Sequence, residues 1–209
     1  MTIALAPNDV VGGSVRHTTT AWHIITGEYP PTVGGVADYT QLVARGLAAS
    51  GDAVTVWTPS AGAVNEPGVT VRVLPDCYGL RSLRMLSREI EPGTATRILV
   101  QYVPHAFGWK GGNLPFCLWL RLRRRDRPWV MFHEVAYPFD EGAPFELRAL
   151  AVVNRVMARL VSRAAHRAFV SIPAWRTNVQ AFASAETSIE WLPVPSTLPV
   201  VDDPKAATP

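Results

Sequence analysis

Three places along the chain carry residue types that can do chemistry. Gly34 and Gly35 follow Pro30-Pro31 and stand just before a helical pattern. His133-Glu134 closes the apolar run Val130-Met131-Phe132, and His105 follows Gln101-Tyr102-Val103-Pro104. Missing side chains let a ligand approach the backbone, and the first turn of a helix offers unpaired N–H donors at a positive dipole end. Together these suit an anion, best a phosphate; the competing reading is a tight turn. The pair is neither a Gly-x-Gly-x-x-Gly fingerprint nor part of a P-loop. The His133 imidazole can donate to sugar hydroxyls or a phosphate and titrates near neutrality, or it is simply a hydrogen-bonded loop histidine. Glu134 is a candidate base without a second carboxylate at a legible spacing, so a two-carboxylate hydrolase is not supported. Phe107 and Trp109 offer a stacking wall or else cover a sheet edge. No serine lies in a Gly-x-Ser-x-Gly elbow, neither Cys77 nor Cys117 has a nucleophile or metal-ligand setting, and no metal is expected.

The elements that must position these residues are legible from periodicity. Ala21 to Thr26 reads as a buried parallel strand, stopped by the two prolines. A helix follows with Val36, Tyr39, Val43 and Leu47 at helical spacing, widened by Leu42 and Ala44, and ends at Ser50-Gly51. Strands are expected at Ala53 to Trp57, at Val69 to Leu74 on the edge side, at Arg97 to Tyr102, at Trp129 to His133, at Ala168 to Ser171 and at Ile189 to Leu192. Helices are expected over 79–90, with Leu80, Leu83, Leu86 and Ile90 inward, over about 113–125, over about 144–166, and after Pro173. This alternation predicts a single Rossmann-like, doubly wound, mostly parallel α/β sheet with helices on both faces. Ligands then collect beyond the carboxyl ends of the strands, where the glycine loop and both histidines fall. Residues 1–20 read as a mobile leader, 21–192 as the domain, and 193–209 as a linker-like tail.

Composition narrows the class. A chain of 209 residues with 48% hydrophobic content is an ordinary globular one. The formal charge of +3 and pI near 9.1 do not argue for nucleic acid, and the aromatic interleaving that grips single strands is missing. Two distant cysteines make a reduced cytosolic setting the default. No stretch has the length of a membrane-spanning helix or the shape of a secretory signal. Arginines cluster at 121, 123, 124, 125 and 127, and Arg148, Arg155, Arg159 and Arg163 share one helical face. That pattern is a solvated face, or a contact to anionic lipid at the inner side of the membrane.

Glu28-Tyr29-Pro30-Pro31-Thr32-Val33-Gly34-Gly35-Val36-Ala37-Asp38-Tyr39, followed by Leu42, Leu47, Gly51 and Ala53 to Val56, resembles the opening of family 4 retaining glycosyltransferases. The family's Gly-His-x-Val is here Gly51-Asp52-Ala53-Val54. Gln101 to Pro104 is similar to its segment at the fourth strand, Phe132-His133-Glu134 to its His-Asp/Glu at the fifth, and Ile189 to Pro195 to the run leading into its hinge. The resemblance covers about residues 21–199. It implies the amino-terminal, acceptor-side half of a GT-B enzyme that moves a hexosyl group from a nucleotide-sugar to an acceptor, with no cofactor or metal. In that reading Gly34 and Gly35 approach the donor diphosphate or sugar, and His133 binds the transferred sugar. Glu28, Tyr29, Gln101, Tyr102, His105 and Glu134 shape the acceptor pocket. The family's second nucleotide-binding domain with its spaced glutamates is not in these residues: the chain is a fragment, or the second half is a separately encoded carboxyl-terminal domain, or the stand-alone domain has lost transfer activity, and alone it is expected to turn over donor poorly or not at all. The alternative is a non-catalytic binding module or partner subunit. A dinucleotide oxidoreductase is disfavoured by the missing fingerprint and by Trp57-Thr58-Pro59 where an acidic residue would stand.

Overall fold

The computed structural model describes residues 19–195. Seven strands form one all-parallel sheet: β1 (Ala21–Thr26), β2 (Ala53–Thr58), β3 (Val69–Val73), β4 (Thr96–Tyr102), β5 (Trp129–Phe132), β6 (Arg167–Val170) and β7 (Ser188–Trp191). Their order is β3-β2-β1-β4-β5-β6-β7, so the winding reverses between β1 and β4. Five helices connect them: α1 (Gly35–Ala49), α2 (Leu80–Glu89), α3 (Leu114–Leu122), α4 (Phe145–Ala164) and α5 (Trp175–Phe182). β2 and β3 are joined without a helix, and β3 is an edge strand, as its alternating pattern suggests.

The two faces are covered unequally. Alternate strand residues (Ile25, Ile98, Val100, Val130, Phe132, Ala168 and Val170 among them) pack with α2, α3, α4 and α5 in one core. The opposite set, including Ile24, Val54, Val56 and Leu99, packs against α1. Since successive side chains of a strand point to opposite faces, the near-continuous apolar runs follow from burial on both sides.

Helix α1 buries Ala37, Tyr39, Thr40 and Ala44, while Leu42 is exposed. The small side chains of Ala37, Thr40 and Ala44 let the helix lie close to the sheet, which leaves Leu42 off the face expected of it. In α2 the buried positions are Ser82, Leu83 and Leu86, with Ile90 at the cap, and Leu80 points outward. Both corrections have one cause: a helix against a flat sheet buries a narrower stripe than its apolar residues mark out.

Several contacts fix the strand ends. Tyr78 is fully buried, and its hydroxyl lies 2.6 Å from the Thr26 carbonyl oxygen and 3.0 Å from that of Trp57, tying β1 to β2. Its ring packs at 4.9 Å on Phe107 and 5.0 Å on Phe116, which stack on each other at 4.3 Å. Burying one such aromatic ring contributes about 1.5–3 kcal/mol. At the other edge Asp52, standing where the similar family has histidine, accepts from the Thr20 N–H at 2.9 Å and Trp22 Nε1 at 3.0 Å.

Candidate functional site

The strand order reverses between β1 and β4, the point beyond whose carboxyl ends open parallel sheets take their ligands, and the candidate residues are drawn from there. The loop after β1 begins at Gly27, where a Cβ would come within 2.5 Å of the Ala106 carbonyl oxygen and overlap the Ala106 methyl. Close approach of the β4 exit therefore requires this glycine, a constraint whose partner cannot be read from sequence. Tyr29 is fully buried: its N–H donates to Ser60 Oγ at 2.9 Å and its hydroxyl to Glu66 Oε1 at 2.7 Å. Burial and the Glu66 carboxylate push its phenol well above the ordinary value. Tyr29 thus anchors the loop to the β2–β3 connection and is not on an open pocket wall.

Gly34 and Gly35 differ in what they leave room for. A Cβ on Gly34 would overlap Glu28 Oε2, so the Glu28 side chain occupies the space the glycine vacates. A Cβ on Gly35 would meet nothing within 4 Å. No side chain caps α1, whose first intrahelical bond runs from Asp38 N–H to the Gly34 carbonyl at 3.0 Å. The N–H groups of Gly35, Val36 and Ala37 are the orphan donors of the first turn, with two carboxylates of the protein's own close by, Glu28 beside Gly34 and Asp38 within the turn.

His133 follows β5 directly. Its N–H donates to the Tyr102 carbonyl at 3.1 Å, and its Nε2 lies 2.8 Å from Gln101 Oε1. That oxygen only accepts, so in this arrangement Nε2 carries the proton and Nδ1 remains an acceptor. The imidazole meets Tyr39 of α1 edge to face at 5.3 Å, and burial holds its pKa down at about 4. It is a neutral hydrogen-bonding group at physiological pH. Gln101 is fully buried, and its Nε2 has no partner among the described residues. An unpaired buried donor costs about 1–3 kcal/mol, which a ligand or water would recover. Thr26 and Thr40 stand nearby in sequence register, their hydroxyls 3.4 Å apart under α1.

His105 and Glu134, both half-exposed, approach at 3.5 Å (Nδ1 to Oε2) from the exits of β4 and β5. Tyr102 and Phe107 do not join them. Both are fully buried, in the core on the opposite face, because β4 alternates and Tyr102 shares its side with Ile98 and Val100. Trp109, with φ of 53°, is the exposed aromatic of this exit. The structure therefore brings Gln101 with His133, Glu28 with Gly34, and His105 with Glu134, and excludes Tyr29, Tyr102 and Phe107 from open surface. Tyr39 and Thr40 went unread as site residues, since in sequence they look like part of a helix's inner stripe.

A cavity of about 670 Å³ lies at the opposite, amino-terminal edge among Arg97, Arg127, Trp129, His166 and Arg167. Of its cations, Arg167 pairs with Glu190 at 2.6 Å and stacks on Trp129, Arg97 donates to the Thr94 and Thr96 carbonyls, and Arg127 Nη2 is 2.6 Å from His166 Nε2. Among the described residues no group of three or more His, Cys, Asp and Glu side chains is placed to hold a metal. No described helix is long and apolar enough to cross a membrane.

An all-parallel sheet of this strand order, with helices on both faces, defines a Rossmann-like α/β domain; the uncapped start of α1 follows β1, and the neutral His133 follows β5, two strands away. The family model of the glycosyl transferase 4-like domain matches residues 34–195, and the chain belongs to that family. Among curated proteins none matches the chain. Among solved structures it is similar to an oxidoreductase of the short chain dehydrogenase/reductase family from Burkholderia thailandensis. That likeness, 16% identity over 85% of this chain and 91% of the other with a TM-score of 0.40, is too distant to bear on function.

Proposed function

We propose that this chain is the acceptor-side domain of a GT-B glycosyltransferase that moves a hexosyl group from a nucleotide-sugar to an acceptor with retention at the anomeric carbon. The observation that carries the reading is the pairing of an open α1 amino terminus at Gly35 with the His133–Gln101 couple on the adjacent strand ends. The orphan N–H groups of Gly35 to Ala37 offset charge on a departing diphosphate. Neutral His133, held by the buried Gln101 side chain, hydrogen-bonds the sugar being transferred. Glu28, His105 and Glu134 form the acceptor side. Retaining transfer on this plan needs no protein nucleophile: the acceptor attacks on the leaving-group face, and the departing phosphate takes its proton. The domain's contribution is placement and electrostatic stabilisation of an oxocarbenium-like state. The residues described supply one wall of such a cleft, so turnover requires a second, carboxyl-terminal domain.

The test is turnover of a panel of nucleotide-sugars by the chain alone and mixed with a separately encoded carboxyl-terminal domain. Transfer seen only in the mixture, and lost in His133→Ala, is the expected result. Absence of donor binding and turnover in both would leave a binding module and remove the catalytic reading.

A further inference from the structure

Helices α3 and α4 lie side by side on the heavily covered face of the sheet. Asn154 Nδ2 donates to the Gly111 carbonyl at 2.6 Å near the start of α3. At their far ends, burial and the charges of Arg124 and Arg163 lower the affinity of the Arg121 guanidinium for its proton. Their outer surfaces therefore form one continuous strip. On α3 it exposes Leu118 at 52% and Leu122 at 75%, flanked by Arg121, with Arg124 and Arg125 just beyond. On α4 it exposes Val152, Val156, Arg159 and Arg163. The acids of these two helices reduce to Glu146 in the first turn of α4, and Asp126 below α3 is paired with Arg123. Arg148 and Arg155 face Phe139 at 5.8 and 5.4 Å, and Arg155 also donates to the Tyr137 carbonyl at 3.2 Å. They clamp the loop after β5 and are less free than Arg159 and Arg163, which narrows the four-arginine face expected from spacing.

An acid-poor strip in which exposed leucines and valines alternate with free arginines matches a surface with anionic charge outside and an apolar layer beneath. We propose that the α3–α4 face docks the protein on an anionic lipid bilayer, its arginines on the headgroups and Leu118 and Leu122 in the boundary layer. A polyanion such as nucleic acid would use the arginines but leave the leucines in water, and the aromatic next to them, Trp119, is half-buried, its Nε1 donating to Ser87 Oγ at 2.8 Å and its ring covered by Arg123.

The test is sedimentation of the full chain with phosphatidylcholine vesicles, with and without phosphatidylglycerol. Binding is expected only with phosphatidylglycerol, weakening between about 0.1 and 0.5 M salt. Arg159→Glu with Arg163→Glu should lower the partition coefficient by at least about thirtyfold, since each arginine near the surface is worth about 1 kcal/mol. Leu118→Ser with Leu122→Ser should lower it about tenfold while leaving retention on heparin unchanged. Arg45→Glu with Arg72→Glu, an equal charge change on exposed residues of α1 and β3, should alter it by no more than about twofold, the remainder of a distant, screened charge. Far-ultraviolet circular dichroism and Tm confirm that each variant is folded. Equal binding to neutral vesicles, an equal loss in the control pair, or a vesicle partition coefficient indifferent to the leucine changes would overturn the proposal. The last outcome would assign the strip to a polyanion.

Discussion

Gly35→Ala separates a glycine kept for the fold from one kept for a ligand. Gly35 is the first residue of α1, has no positive φ, and a Cβ there meets nothing within 4 Å. Alanine consequently costs no clash, and by restricting the unfolded chain it stabilises the domain by about 0.4–1 kcal/mol. For a domain of this size that raises Tm by about 1–4 °C. If the donor's diphosphate or sugar rests on this stretch of backbone, the same methyl intrudes on the ligand. An added methyl in a fitted contact costs about 1–3 kcal/mol, or about 5- to 150-fold in kcat/KM. The assay pairs thermal unfolding of the chain with transfer kinetics in the presence of the carboxyl-terminal domain. A raised Tm with lost turnover supports the reading. A substantial fall in Tm would make the glycine structural, and a raised Tm with unchanged turnover would refute ligand approach at this point.

Three further outcomes follow from the same geometry. Gly27→Ala, which must push against the backbone of Ala106, is expected to destabilise by about 1–3 kcal/mol or more, read as a lower denaturant midpoint; a neutral result would contradict the tight β1–β4 exit. Glu28→Gln removes the carboxylate beside the α1 amino terminus and should tighten inorganic pyrophosphate or nucleotide-sugar binding about two- to fivefold, measured by calorimetry; weaker binding would mean Glu28 is itself a donor contact. His133 has its pKa lowered from 6.5 to about 4, so the neutral form is favoured on folding. That stability is present above pH 6.5 and drains away as pH falls towards about 4, by about 3 kcal/mol at most. His133→Gln should flatten this part of the stability profile, and an unchanged slope would show that the imidazole is not held neutral.

Much of the fold was legible because apolar runs and breakers coincide here with the elements. The expected strand at Ala21 to Thr26 is β1, α1 ends before Gly51 with φ of 91°, and α4 spans most of the expected 144–166. What periodicity could not give is side-chain direction against a particular neighbour. Leu42 and Leu80 carry the right spacing yet face water, because α1 seats on the sheet through Ala37, Tyr39, Thr40 and Ala44, and α2 through Ser82, Leu83 and Leu86. Tyr29, Tyr102 and Phe107 sit in loops and strand ends that line the site in sequence, but burial draws them into the core. In contrast Gln101 and His133, 32 residues apart, meet because β4 and β5 are neighbours and both residues follow the same alternation. Asp52 shows the reverse case: a departure from the similar family's motif, it staples Thr20 and Trp22.

The most direct test of the central claim is chemical-shift mapping of a nucleotide-sugar on isotope-labelled chain mixed with its carboxyl-terminal domain, under conditions where transfer occurs. The account requires the amides of Gly35, Val36 and Ala37 and the ring of His133 to respond, with the Gln101 side-chain amide. Responses gathered instead around Arg97, Arg127 and Arg167 at the amino-terminal edge, with those at the α1 amino terminus silent, would contradict it.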